Sequence, residues 1–202
     1  MRAPTVKAFS GLLLCALALL SCPNIFDPDR DETEVCAGHQ NSPFVLPYPV
    51  GETYVCLQGY VGGVNHHSEI FRYAVDFSMP IGSPVTAARS GVVDFIEETF
   101  EDGDFGVGKD NLVVLRHDDG TYSRYVHLTK NGVLVEIGQI IFQGDPIALS
   151  GNSGQSRAPH LHFDVTRGDG TRESQTIPVC FRNTKPHPRG LETGVPYASL
   201  PY

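Results

Sequence analysis

The stretch Ala158-Pro159-His160-Leu161-His162-Phe163-Asp164-Val165 decides how this chain is read. Successive side chains of an extended strand point to opposite faces, so the two histidines share one face and Leu161 and Phe163 share the other. Two imidazoles on one side can serve a metal ion, while the apolar side packs into a core and holds the rings rigid. The segment predicts a β-strand that is half site and half core.

Outward from this strand, the chain consists of short apolar runs punctuated by Gly, Pro, Asp and Asn, without long helical periodicity. Strands are expected at Val85–Ala88, Gly91–Glu97, Leu112–His117, Tyr122–Leu128, Val133–Ile137, Ile147–Leu149, His160–Val165 and Ile177–Arg182. Asp118-Asp119-Gly120 supplies a hairpin turn, and such tight connections make antiparallel pairing the expectation. The fold class is all-β. Phe100–Asp110, rich in acids and glycines, reads as a surface loop. It lacks the helices and ligand spacing of a calcium-binding EF-hand.

At the N-terminus, Arg2 and Lys7 precede the apolar run Gly11–Leu20, too short to span a bilayer stably, so residues 1–21 read as an export signal. The run closes on Leu19-Leu20-Ser21-Cys22, which resembles a bacterial lipobox and implies an exported envelope protein with a lipid on Cys22. Residues 22–45 read as an acidic polar tether, 46–184 as one domain, and 185–202 as an irregular Pro- and Gly-rich tail. Loss of residues 1–21 removes two cations and no acid, leaving a chain two units more negative than the −8 of the whole. Such a surface repels phosphate backbones, and no basic stripe offsets it, so nucleic acid is not an expected partner. Cys22, Cys36, Cys56 and Cys180 follow the signal. With Cys22 lipidated, one of the other three is free, and the pairings 36–56, 56–180 and 36–180 all remain open.

Two further segments carry site chemistry. Asn65–Phe77 contains His66, His67 and Asp76, and Tyr122–Leu128 places Tyr125 and His127 on one face of a strand by alternation. With these motifs, the chain from about Gly59 to Val165 resembles the M23 family of zinc metallopeptidases, the LytM or lysostaphin-like peptidoglycan endopeptidases. His67 with Asp76 is similar to the family's first His…Asp element. Tyr125-Val126-His127-Leu128 is similar to its Tyr-x-His-Leu, and Ser150-Gly151-Asn152-Ser153-Gly154 leading into His160-Leu161-His162-Phe163 to its final His-x-His. Pro80–Val85, followed by Ala87, Ala88 and Gly91, resembles the connecting segment.

The resemblance implies a compact antiparallel β-sandwich with a metal-bearing groove, walled by Glu98–Asn111 and Thr129–Gly132. It implies one Zn2+ held by His67, Asp76 and His162 with water in the fourth position, an open site of nitrogen and oxygen ligands. His160 and His127 then serve as catalytic groups beside the metal, one taking the water's proton and the other meeting the oxyanion or leaving amine. Their division of roles is open, as is His66 against His67, although Tyr73-Ala74-Val75-Asp76-Phe77 resembles a longer family form that favours His67. The implied activity is hydrolysis of peptide bonds in peptidoglycan cross-links or stems. The alternative is a non-catalytic relative that binds the wall or activates another hydrolase. His39, His117, His187 and Glu69 carry no expected site role, and Tyr73 and Tyr125 fit a cleft or a core equally well.

Overall fold

In the computed structural model of the chain, residues 34–60 and 70–202 are described. Twelve strands run in chain order: β1 Thr53–Gln58, β2 Val75–Phe77, β3 Pro84–Thr86, β4 Gly91–Glu97, β5 Leu112–Arg116, β6 Tyr122–Val126, β7 Leu128–Val133, β8 Ile140–Ile141, β9 Pro146–Ser150, β10 Leu161–Thr166, β11 Thr176–Ile177 and β12 Pro196–Ala198. A short 3-10 turn lies at His39–Asn41. Nine strands form one sheet in the order β12-β1-β2-β10-β6-β5-β4-β8 with β11 beside β10, and β3-β9-β7 form a second. All these ladders are antiparallel, as the tight turns in the sequence require.

Both sheets contribute to one apolar cluster. Val75, Phe77, Val113, Tyr125, Leu161 and Phe163 enter from the large sheet, and Val85, Leu128, Ile147 and Ala148 from the small one. The central strand β10 is buried along its whole length on both faces. It is therefore more enclosed than a half-exposed strand, because the Phe71 ring stands edge-on to His162 and Arg124 caps Asp164, leaving His162 9% exposed and Asp164 0%.

Strand β6 ends earlier than alternation predicts. His127 has φ 65°, the left-handed region that a non-glycine residue rarely occupies, and a strand cannot continue through it. The chain leaves the large sheet there and enters the small sheet as β7. This kink also overturns the shared face expected for Tyr125 and His127. Tyr125 is fully buried against Phe163, its hydroxyl accepting the Ala88 N–H at 2.8 Å, whereas His127 turns to the other side.

Residues 34–45, part of the stretch read as a tether, pack onto the body. Cys36 forms a disulfide with Cys180, the Ser42 hydroxyl bonds the Cys180 carbonyl, and Phe44 bridges to Phe181. The bridge closes one of the three open cysteine pairings, and Cys56 is the free, buried thiol. The stretch read as an irregular tail contributes β12, which pairs with β1. In the same belt, His187 donates from Nδ1 to the Lys185 carbonyl and accepts the Phe181 N–H at Nε2, and His39 stacks against it at 4.9 Å.

Candidate metal and catalytic centre

The ladder of the large sheet aligns the site in one row. Asp76 on β2 pairs with Gln58 on β1 and with His162 on β10, and His162 pairs with Val126 on β6. His162 Nδ1 lies 2.9 Å from Asp76 Oδ1. The other carboxylate oxygen, Oδ2, accepts a hydrogen bond from Gln58 Nε2 at 2.6 Å. His160, bridged to Gly151 just before β10, brings Nε2 to 3.9 Å from Asp76 Oδ1. The His127 ring stands 4.6 Å from His160 and 5.9 Å from His162, centroid to centroid. Four residues singled out in the sequence, Asp76, His127, His160 and His162, thus meet at one place. His66 and His67 lie outside the described residues, and among the described ones no group of three potential ligands surrounds a single point.

Carbonyl oxygens only accept, so they assign the tautomers of the two rings beside the row. His127 Nδ1 lies 2.8 Å from the Ser153 carbonyl and therefore carries the proton. His160 Nδ1 lies 2.8 Å from the Ala158 carbonyl and does the same. In the neutral rings both Nε2 atoms are acceptors. Burial, reinforced by His160 and His162, pushes the His127 pKa down to about 3, so this ring stays neutral across the physiological range. For His162, burial works against the charged form, but hydrogen bonds to Asp164 and Asp76 outweigh it and raise the pKa to about 9. Behind His162, Asp164 is fully buried, and burial disfavours its charge. The adjacent Arg124, through charge and hydrogen bonds, together with His162, nevertheless holds its carboxyl well below the usual range.

The kink at His127 is held by a buried polar cluster. Asn111 donates from Nδ2 to the carbonyls of Phe100 and Leu128 at 2.7 and 3.1 Å and accepts the Phe100 N–H at 3.0 Å. Its own carbonyl accepts the Leu128 N–H. Ser153 Oγ accepts the Asn111 N–H and donates to the Leu128 carbonyl. Gly154 has φ +71°, and a Cβ there would stand 1.9 Å from Asp110 Oδ1, so only glycine fits. The acids of the 98–111 loop are spent on fastening. Asp102 bonds Thr129 Oγ1 and the Asn152 N–H, Glu101 pairs with Lys130, Asp104 with Lys109, and Asp110 with Arg172. Two of these contacts, Asp102 to Thr129 and Glu101 to Lys130, tie together the two segments expected as groove walls.

Sequence reading missed Gln58, Asn111, Ser153, Arg124 and Asp164. Asp164 alone carried a signal, lying two residues past His162 and hence on the same strand face. His117 is a satisfied core histidine, with Nδ1 on the Ser90 carbonyl and Nε2 on Ser123 Oγ.

With this geometry in place, a profile of peptidase family M23 matches residues 71–175, which include Asp76, His127, His160 and His162. The chain belongs to peptidase family M23. Among M23 relatives it is 40% identical over 94 residues to the peptidoglycan DD-endopeptidase ShyA of Vibrio cholerae, a match covering 46% of this chain and 20% of that protein. It is 36% identical over 136 residues to the glycyl-glycine endopeptidase ALE-1 of Staphylococcus capitis, covering 67% and 31%. The matched region spans about a third or less of these curated relatives' lengths. The fold matches the catalytic domain of the prophage-encoded M23 protein EnpA from Enterococcus faecalis, with a TM-score of 0.50 and 22% identity over 65% of this chain and 93% of that one. Residues 34–60 and 176–202, which supply β1, β12 and the disulfide, lie outside the family match.

Asp76 and His162 offer one carboxylate and one imidazole, ligand types that zinc accepts. Metal bonds of about 2.0–2.1 Å in a tetrahedral arrangement hold ligand atoms roughly 3.3 Å apart, and Nδ1 of His162 already stands close to that distance from Oδ1 of Asp76. One imidazole and one carboxylate are hard and borderline ligands of the kind an open catalytic zinc site uses.

Proposed function

We propose that this chain is a zinc-dependent endopeptidase that hydrolyses peptide bonds in bacterial peptidoglycan. The observation that carries the reading is the alignment of Asp76 and His162 across the β2–β10 ladder with two tautomer-fixed imidazoles beside them. Asp76 and His162 would hold the zinc, with His67 as third ligand. When bound, the metal supplies a Lewis acid that acidifies water and polarises a carbonyl. ShyA and ALE-1 are named for peptidoglycan and glycyl-glycine bonds, which supports the substrate class.

The two rings beside the row handle the proton. Both present an Nε2 lone pair, because a carbonyl accepts the Nδ1–H of each ring. One Nε2 would take the proton of the attacking water while the other orders that water by accepting a hydrogen bond, and the protonated ring would return its proton to the leaving amine nitrogen. The Ser153 and Ala158 carbonyls keep both rings oriented through the cycle.

Export and a lipid on Cys22 belong to the same reading. A disulfide suits an oxidising compartment, and the bridge joins Cys36 to Cys180 while Cys56 stays buried and free, so no described cysteine is left in need of Cys22. The test is elemental analysis of the purified chain together with release of soluble fragments from purified peptidoglycan, before and after chelation. About one zinc per chain and chelator-sensitive release are expected. Zinc without release would point to a wall-binding module, and absence of zinc would remove the Asp76–His162 assignment.

A further inference from the structure

The two nitrogens of His162 face two different carboxylates. Nδ1 lies against Asp76 Oδ1 at 2.9 Å and Nε2 against Asp164 Oδ2 at 3.0 Å. An imidazole that binds a metal gives up one lone pair and keeps a proton on its other nitrogen, so whatever accepts that proton decides which nitrogen the metal meets. An ionised carboxylate can only accept. Asp164 is gripped at both oxygens by Arg124, the residue opposite it in the β6–β10 register, with Nε to Oδ1 at 2.7 Å and Nη2 to Oδ2 at 2.8 Å. The remaining nitrogen, Nη1, donates to the Thr171 carbonyl, which fixes the guanidinium at its far side. Arg124 and Asp164 are 3% and 0% exposed.

Fold stability alone does not account for such a pair. Two buried charges give back in attraction roughly what their dehydration takes, and apolar residues of similar volume serve a core as well or better. Neither side chain takes part in the backbone ladder. Their distinguishing feature is their place, directly behind the ring that stands opposite Asp76.

Resting on the zinc-site reading above, we propose that Asp164 and Arg124 are positioning residues of the metal centre: Asp164 accepts the Nε2–H of His162, turning the Nδ1 lone pair toward Asp76, and Arg124 locks Asp164 in that orientation. The pair thereby sets metal affinity without touching the metal.

The experiment measures zinc affinity by competition with a chelator, and the urea unfolding midpoint of the metal-free protein, on the whole chain. The variants are Asp164→Asn, His162→Ala, and the double variant Arg124→Met with Asp164→Leu. Asp164→Asn weakens zinc binding by about 10–100-fold, the usual cost of losing such a partner. The double variant removes both buried charges, so its unfolding midpoint returns toward that of the unaltered chain while its zinc affinity stays reduced. Zinc affinity that recovers in step with stability in the double variant makes the pair merely structural and overturns the proposal. Unaltered affinity in Asp164→Asn, with binding lost in His162→Ala, overturns the positioning role and leaves the zinc site standing. An unaltered chain that binds no zinc, or a His162→Ala variant that binds it as well as the unaltered chain, overturns both.

Discussion

Replacing Asn111 by Ala is a severe test of how the site is held, because this buried side chain makes three hydrogen bonds around the His127 kink. The Leu128 carbonyl keeps a second donor, Ser153 Oγ at 2.8 Å. The N–H and the carbonyl of Phe100 lose their side-chain partner. Net contributions of about 1 kcal/mol per hydrogen bond, with an added penalty for two backbone groups that are only partly shielded from water, give a loss of about 2–4 kcal/mol. Urea unfolding followed by far-UV circular dichroism reads this as a lower midpoint with an unchanged slope. A thermal scan should show about 2–4 °C lost per kcal/mol. Activity at a temperature where the variant remains folded should fall as well, since Asn111 fixes Leu128, the neighbour of His127. A stability loss under about 1 kcal/mol with full activity would refute the claim that this cluster supports the kink.

His127→Ala and His160→Ala should each keep stoichiometric zinc while losing about 10²–10⁴-fold in hydrolysis; full activity in either variant removes that ring from the proton path. Serine at both Cys36 and Cys180 opens a loop spanning 144 residues and should cost about 4–5 kcal/mol in urea unfolding, with a loss near zero refuting a clamping role for the bridge. Burial lowers the pKa of His117 and of His187 below the usual histidine value. The unfolded chain therefore binds more protons than the folded one below about pH 6.5, so stability is lost as pH falls through that window. His162, shifted upward, contributes stability in the metal-free protein that is complete below about pH 6.5 and is lost progressively as pH rises through about 9, so the trend is read below pH 6.5, where His162 is constant. Denaturant midpoints that stay flat from pH 7 to 5 would contradict this.

Period-two alternation revealed several of the strands whose one face meets the core. Gly91–Glu97 appears with its predicted bounds, and the expected strands at 112, 147 and 160 differ by a residue or so at their ends, whereas the strands expected at Val133–Ile137 and Ile177–Arg182 keep only Val133, at the end of β7, and Ile177, in β11. β1 was not legible because only Cys56 along it is buried. β12 exists only as the partner of β1, a relation no local pattern announces. Composition made residues 34–45 look like a tether, since the disulfide that fastens them joins residues far apart in the chain. At the site, residue types were readable and orientations were not. Straight alternation put His127 beside Tyr125, and one left-handed residue moved it to the opposite face. Arg124 was invisible for another reason: its meaning depends on register with a strand 40 residues away.

Asp76 and His162 are 86 residues apart in sequence and directly opposed in the sheet. Their spacing is a property of the completed β2–β10 pairing and of nothing shorter in range, and pairings of such long range form late. A nascent or partly collapsed chain does not hold Asp76 and His162 at this spacing, so ligation by that pair favours finished molecules. Metal occupancy in a preparation of this protein should therefore serve as a census of correctly closed sheets, rising during refolding in step with the last tertiary signal and never ahead of it.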